Sequence, residues 1–243
     1  MRVLVGPETD DLTRIYAAPR TPWLRVNMVS TVDGAATGES GRSGSINNAA
    51  DKRVFDTLRA LADAIVVGAG TARIEGYRPA ETPIVLVSRR GDVPERLRGA
   101  PAGSVLLATT ATAAGLVEAR DVLGHDHVLT LGDDRVDLAL LKETLVARGL
   151  VDLLSEGGPS LLGALLAQGV ADELTTTVVP RLIGGDHPRI VAAPPLDVPL
   201  SLHTLLEDDG TLLARWLVER RGGFEAPRWG SSHLNHRGGR GTA

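Results

Sequence analysis

Apolar residues along this chain fall into short blocks of two kinds. DAIVVG, PIVLVS, SVLLATT, HVLTL and VDLLS are brief runs of Val, Leu and Ile with little polar interruption. Runs of that length and composition suit strands buried on both faces. Between them lie TAAGLVEARDVL, DLALLKETLVARGL and SLLGALLAQGV, whose apolar positions recur at the spacing of one helix face. Strand alternating with helix predicts an α/β domain built on a mostly parallel sheet. The body opens with WLRVNMVSTVDG, a strand from Leu24 to about Ser30 that ends at the Asp33-Gly34 turn. A Ser/Gly-rich loop, TGESGRSGS, leads into NNAADKRVFDTLRALA, where Val54, Leu58 and Leu61 share a helix face and Asn47 or Asn48 can cap it. Near the other end, DELTTTVVP, LHTLLED and TLLARWLVE read as strands. Asp208-Asp209-Gly210 joins the last two as a hairpin, so the sheet is expected to finish on an antiparallel edge. Residues 1–22 read as a leader, 23–221 as one domain, and 222–243, which lack periodicity, as a flexible tail.

Composition narrows the picture. With 243 residues and 43% hydrophobic content the chain has enough material for one sizeable core. A net charge of −4 and the lack of a long basic run in the body argue against nucleic acid as a partner. Aromatics make up only 3%, which leaves little for base-stacking platforms. There is no cysteine, hence no disulfide framework and no thiolate chemistry. His125 and His127 are too few and too loosely set to hold a metal. No apolar run reaches membrane-spanning length, and a cytoplasmic protein is expected.

Four stretches carry candidate chemistry. In LLSEGGPSLLGALL a strand breaks at Glu156-Gly157-Gly158-Pro159 and a helix begins. Glycines allow close approach of backbone to a ligand, and a helix start offers free N–H groups to an anion. A tight strand-to-helix turn would use the same residues. In VGAGTAR, residues 67–73, Gly68 and Gly70 begin a G-x-G-x-x-G motif whose third glycine is replaced by Arg73. That is a weak match, and taken alone a simple glycine turn explains it better. IVLVSRR ends a strand in Ser88-Arg89-Arg90, a hydroxyl and guanidinium combination suited to a phosphate monoester or to a solubilised strand end. Arg59 sits one residue past the apolar Leu58, as a phosphate clamp or a surface arginine with a buried stem.

Taken in order, VNMVSTVDG, the Ser/Gly loop, LRALADAIVVGAGTAR, IVLVSR, LLSEGGPSLLGALLAQGVADEL and VVPRLIGG resemble the reductase domain of riboflavin biosynthesis over roughly residues 23 to 219. The resemblance implies a dihydrofolate-reductase-like α/β fold, with a central mostly parallel sheet flanked by helices and an antiparallel C-terminal hairpin. It implies NADPH as cofactor, no metal, a phosphorylated pyrimidine substrate and a homodimer. Gly70, Thr71 and Glu75 would sit at the cofactor, although most relatives carry Asp where Glu75 stands. Ser88 and Arg89 would approach the adenosine 2′-phosphate. Gly157, Gly158, Pro159, Ser160, Leu161 and Leu162 would cradle the pyrophosphate. Glu156 would be the catalytic group facing the substrate, with Asn27, Arg59 and Ser40 or Ser43 binding its sugar and phosphate. The implied reaction turns a 5-amino-6-(5-phosphoribosylamino)uracil-type substrate into its ribitylamino product.

Two departures from the family pattern bear on function. The zinc-binding Cys/His pattern of a deaminase is absent, so deamination is not expected. TARIEGYRP replaces the usual T-x-x-x-D-x-P-x-L-T-x-R, with Arg78 as a partial substitute for the missing arginine. That change admits reduction of dihydrofolate or another heterocycle, and a non-catalytic NADPH-binding module is the remaining alternative.

Overall fold

The computed structural model describes residues 1–219. The expected tail, 222–243, lies outside the described residues. One sheet of ten strands runs through the molecule in the order β1-β9-β10-β8-β2-β7-β3-β4-β5-β6. The strands are β1 (Arg2–Val5), β2 (Trp23–Thr31), β3 (Ala64–Gly68), β4 (Ile84–Val87), β5 (Val105–Thr109), β6 (Val128–Thr130), β7 (Asp152–Ser155), β8 (Glu173–Val179), β9 (Leu200–Asp208) and β10 (Thr211–Val218). Six strand pairings are parallel. Three are antiparallel, all on the side of β8, β10, β9 and β1. The short apolar runs are the parallel strands, as their uninterrupted hydrophobicity requires when helices cover both faces.

The helices are α1 (Leu12–Tyr16), α2 (Ala49–Leu61), α3 (Ala69–Glu75), α4 (Leu116–Leu123), α5 (Leu138–Ala147) and α6 (Pro159–Ala167). Their apolar stripes divide the core by sheet face. Leu24, Val26, Val66 and Leu153 point to one side and pack with Leu138, Leu141 and Leu145 of α5 and Leu161, Leu162 and Leu165 of α6. The alternate strand positions point to the other side. There Val67 and Leu86 meet Ala72 of α3 and Ala119 of α4, and Leu154 and Leu213 meet Val54 and Leu58 of α2. Asn48, rather than Asn47, caps α2, its side-chain oxygen accepting from the N–H groups of Ala50 and Asp51 at 3.1 Å each. The Asp209-Gly210 hairpin turn has φ of 49° and 75°, the left-handed pair that a two-residue hairpin favours.

Two expectations need correction. The VGAGTAR segment is not a glycine turn: helix α3 starts directly after β3, with Gly68 as its N-cap. The sheet does finish on an antiparallel edge, and the strand at that edge is β1, which pairs outside β9 of the hairpin. The residues read as a leader are therefore built into the fold. Local patterning hid this, because Ile15 and Tyr16 of α1 pack with residues far along the chain, Val54, Leu58, Leu206 and Leu213, and the carbonyls at its end are bonded by equally distant arginines. Arg215 donates to the Ile15 carbonyl (2.5 Å) and the Ala17 carbonyl (2.9 Å), and Arg25 donates to the Tyr16 carbonyl (2.7 Å). Two guanidiniums thus satisfy the orphan C-terminal carbonyls of a short helix. Between them lies Glu173, fully buried, accepting from Arg25 at 3.0 Å, Arg215 at 2.8 Å and the Trp23 indole at 2.8 Å.

Connectivity creates the crevice. From β3 the chain passes through α3 to β4 on one side, and from the neighbouring β7 it passes through α6 to β8 on the other. The two helices cover opposite faces. Ligands of such sheets bind beyond the carboxyl ends of the strands at this reversal.

Glu173→Ala leaves two buried guanidiniums without their carboxylate and is expected to cost about 3–5 kcal/mol in urea unfolding. Burial alone would raise the Glu173 carboxyl, but Arg25 and Arg215 hold it below the ordinary carboxylate range. Its contribution is therefore complete above that range and is lost only as pH falls through the lowered value. A loss near zero at neutral pH would show that the cluster does not anchor the N-terminal residues.

Candidate functional site

The carboxyl ends of β3 and β7 are held against each other by two hydrogen bonds. The Gly68 N–H donates to the Gly157 carbonyl at 2.9 Å, and the Gly158 N–H donates to the Thr71 hydroxyl at 3.0 Å. This contact explains both glycines of the EGGP stretch. Gly157 has φ +71°, and a Cβ there would lie 2.7 Å from the Met28 sulfur. A Cβ on Gly158 would overlap the Thr71 hydroxyl. Neither position has room for a side chain, whatever binds nearby.

Two cavities open on either side of this contact. The smaller, about 440 Å³, is bounded by β2, the loop 36–47, α2 and α3. The larger, a groove of about 1380 Å³, runs from Gly68 and Gly70 past the end of β4 to the start of α6. Thr71, Gly158 and Pro159 line both.

Glu156 stands in the smaller cavity, its side chain 3% exposed. Arg59 of α2 holds it bidentately, Nε to Oε1 at 2.6 Å and Nη2 to Oε2 at 2.8 Å. The Tyr77 hydroxyl donates to Oε2 as well. The Arg59 guanidinium lies over the Phe55 ring at 4.5 Å and the Tyr77 ring at 5.6 Å, so its stem and head are both fixed. Burial, then the Glu156 charge, pushes the Tyr77 hydroxyl well above its ordinary value. Tyr77 is therefore a protonated donor at any working pH.

The expected residues divide between the cavities. Asn27, Ser43, Arg59 and Glu156 line the smaller one, as a substrate site would need. Gly70, Thr71, Ser88, Arg89, Gly158, Pro159, Ser160 and Leu161 line the groove, with Arg73, Arg90 and Arg135 among the other cations there and Asp92, Asp133 and Asp134 among the acids. Ser88 is tied at its strand end, its hydroxyl accepting from the Asp92 N–H at 3.1 Å.

Other residues fall elsewhere. Glu75, expected at the cofactor, lines the smaller cavity and accepts from the Ser43 N–H at 2.8 Å, tying α3 to the Ser/Gly loop. Arg59, expected on a phosphate, is engaged by Glu156. Ser40 and Arg78 are exposed and line neither cavity. Leu162 is in the core, and its N–H, like that of Leu161, is taken by the Gly158 carbonyl at 3.0 and 2.9 Å. With Gly158 bonded to Thr71 and proline at 159, Ser160 has the first-turn N–H of α6 left for a ligand. Sequence reading missed Tyr77, Phe55 and Asp51. The last two were legible: Asp51, Phe55 and Arg59 recur at four-residue spacing on α2 and all line the smaller cavity.

Fold and site together define an α/β protein with a ligand groove at the switch point of its sheet and a second, acid-bearing cavity opening from it. The model of the RibD C-terminal domain matches residues 22–213, and the chain belongs to that family. It is 32% identical over 187 residues to a 2,5-diamino-6-ribosylamino-4(3H)-pyrimidinone 5′-phosphate reductase of Archaeoglobus fulgidus, covering 70% of this chain and 85% of that one. A reductase of the same description from Methanothermobacter thermautotrophicus is 30% identical over 183 residues, 69% of this chain and 82% of its own. Among solved structures, a pyrimidine reductase-like protein of Corynebacterium diphtheriae superposes with a TM-score of 0.75 at 25% identity, covering 86% of this chain and 99% of that one. The fold is of the dihydrofolate-reductase-like class that the resemblance implied.

Arg59→Ala removes the two guanidinium donors of a buried carboxylate, leaving it the Tyr77 hydroxyl, and is expected to lower stability by about 1–3 kcal/mol. Arg59→Lys is expected to recover little, because a lysine cannot present the two-pronged donor. Full recovery by lysine in thermal unfolding would mean that charge, and not bidentate geometry, holds Glu156.

Proposed function

We propose that this protein is an NADPH-dependent reductase of a phosphorylated ribosylamino-pyrimidine in riboflavin biosynthesis. The observation that carries the reading is the junction itself. A long groove with guanidiniums and an acid-bearing cavity share the wall of Thr71, Gly158 and Pro159. Two ligands seated in them would meet at that wall. The relatives' reductase function supports the same conclusion.

The groove's residues fit a dinucleotide phosphate. Space beside Gly70 is open where a Cβ would stand. Ser160 offers an N–H and a hydroxyl at the start of α6, and Arg89 and Arg90 stand at the end of β4 for a 2′-phosphate. When bound, the cofactor supplies the hydride for C1′ of the ring-opened, imine-like sugar. The chain's own residues do the rest. Glu156, fixed by Arg59 and Tyr77, orients the sugar beside the junction and relays the proton that the nitrogen takes up. Ser43 and Asn27 line the walls against which the sugar rests. No described helix is long and apolar enough to cross a membrane, and we place the activity in the cytoplasm. A homodimer fits the exposed Leu200, Leu202 and Leu212 of the C-terminal strands.

NADPH oxidation with the phosphoribosylamino-pyrimidine, run beside dihydrofolate, tests the reading; turnover of dihydrofolate alone would overturn it. Glu156→Gln is expected to lower kcat by at least about 100-fold while NADPH affinity holds. Unchanged turnover would remove Glu156 from the mechanism. Arg89→Ala is expected to weaken NADPH about tenfold or more and NADH hardly at all. Equal weakening of the two would sink the 2′-phosphate assignment.

A further inference from the structure

Segment 71–77, where the chain departs from its family's pattern, braces three walls of the smaller cavity. Thr71 accepts from the Gly158 N–H at the junction (3.0 Å), Glu75 accepts from the Ser43 N–H in the Ser/Gly loop (2.8 Å), and the Tyr77 hydroxyl donates to Glu156. The backbone is shaped for this. Thr71 and Glu75 are four residues apart on α3 and so share a helix face. Gly76 then ends the helix at φ +76°, and this left-handed turn brings Tyr77 to the cavity wall.

Within α3 itself Glu75 is out of place. It stands in the last turn, where the helix dipole disfavours a carboxylate. What offsets this is the Ser43 N–H, a charge-assisted bond to a loop that has few others. Residues 37–45 bond mostly among themselves. The Gly41 N–H donates to the Gly38 carbonyl (3.0 Å), the Gly38 N–H to the Ser45 hydroxyl (3.1 Å), and that hydroxyl to the Arg42 carbonyl (2.7 Å). Among the described residues, two hydrogen bonds tie this loop to distant segments. Arg181, itself exposed, donates to the Ser45 carbonyl (2.8 Å), and Glu75 accepts from Ser43 at the cavity. Thr37, Gly41, Ser43 and Gly44 of the loop line the cavity, so the position of the loop sets its width.

Resting on the function proposed above, we infer that Glu75 is a positioning residue for the substrate. Through the Ser43 backbone it latches the Ser/Gly loop to α3 and sets Ser43 at the wall where the sugar lies. It acts on the loop and not on the cofactor, in contrast to the place expected from sequence. Thr71, one turn earlier, lines the groove as well as the cavity. One short helix thus meets the cofactor side at its start and holds the substrate loop at its end.

The test compares Glu75→Ala with Glu75→Gln, whose amide oxygen can still accept from Ser43. Exchange of the Ser43 amide, read by NMR in the free protein, reports the latch. Steady-state kinetics with NADPH and the phosphoribosylamino-pyrimidine report its consequence. Glu75→Ala is expected to speed that exchange and to raise the KM for the pyrimidine, each by about tenfold. Its kcat and NADPH dissociation constant are expected to stay within about threefold of wild type. Glu75→Gln is expected to stay within about threefold of wild type in exchange and in KM. Weaker NADPH binding by Glu75→Ala with unchanged Ser43 exchange puts Glu75 at the cofactor and overturns the inference. An unchanged KM in Glu75→Ala overturns it too. So does an equal rise in KM for both variants while Ser43 stays protected in Glu75→Gln, because the carboxylate would then touch the substrate directly. If wild type itself fails to turn over the pyrimidine while Ser43 exchange still separates Ala from Gln, the proposed reaction falls and the latch stands.

Discussion

The structure depends on a close approach between the carboxyl ends of two neighbouring parallel strands. Gly68 bonds to Gly157, Gly158 bonds to Thr71, and Met28 sits beneath with its sulfur where a side chain on Gly157 would have to go. Because the chain leaves β3 and β7 in opposite directions, that contact is also the floor from which two cavities open. Widening it by one methyl group would separate the loops that bound both. The glycines are needed first for the protein's own packing, and the site follows from that packing.

A second constraint lies at the other end of the sheet. Glu173, Arg25 and Arg215 form a fully buried ion cluster whose spare donors end on the carbonyls of α1. Such clusters add little net stability over apolar packing, but they are unforgiving of a missing partner. Here the cluster gives register: it fixes the N-terminal residues against β2 and β10, and β1 then closes the sheet beside β9.

Much of this was legible in the chain. The apolar runs gave the parallel strands, the periodic stretches gave α2, α4, α5 and α6, and Asp209-Gly210 gave the hairpin. EGGPSLL marked the strand-to-helix junction, and Glu156 and Arg59 were both placed in one site. The sequence was silent where side chains from distant segments meet. Nothing local to Arg59 says that it binds Glu156, ninety-seven residues away, instead of a phosphate. Residues 1–22 looked like a leader because their anchoring is long-range: Ile15 and Tyr16 pack with residues far along the chain and distant arginines bond the carbonyls of α1, contacts that local patterning cannot see. Tyr77 was visible only as a departure from a family pattern; its contact with Glu156 gives that departure a physical role. Asp51 reads in sequence as an ordinary first-turn acid, favourable at a helix N-terminus, and only its burial at the cavity wall sets it apart.

The central claim is that a hydride crosses the wall formed by Thr71, Gly158 and Pro159 from the groove to a sugar carbon beside Glu156. Following deuterium tests this most directly. NADPH carrying deuterium at both C4 positions is incubated with the enzyme and the phosphoribosylamino-pyrimidine in ordinary water, and the product is read by mass spectrometry and NMR. The account predicts a ribitylamino product with one deuterium, located at C1′. A product without deuterium, or with the label at a ring carbon, would contradict it.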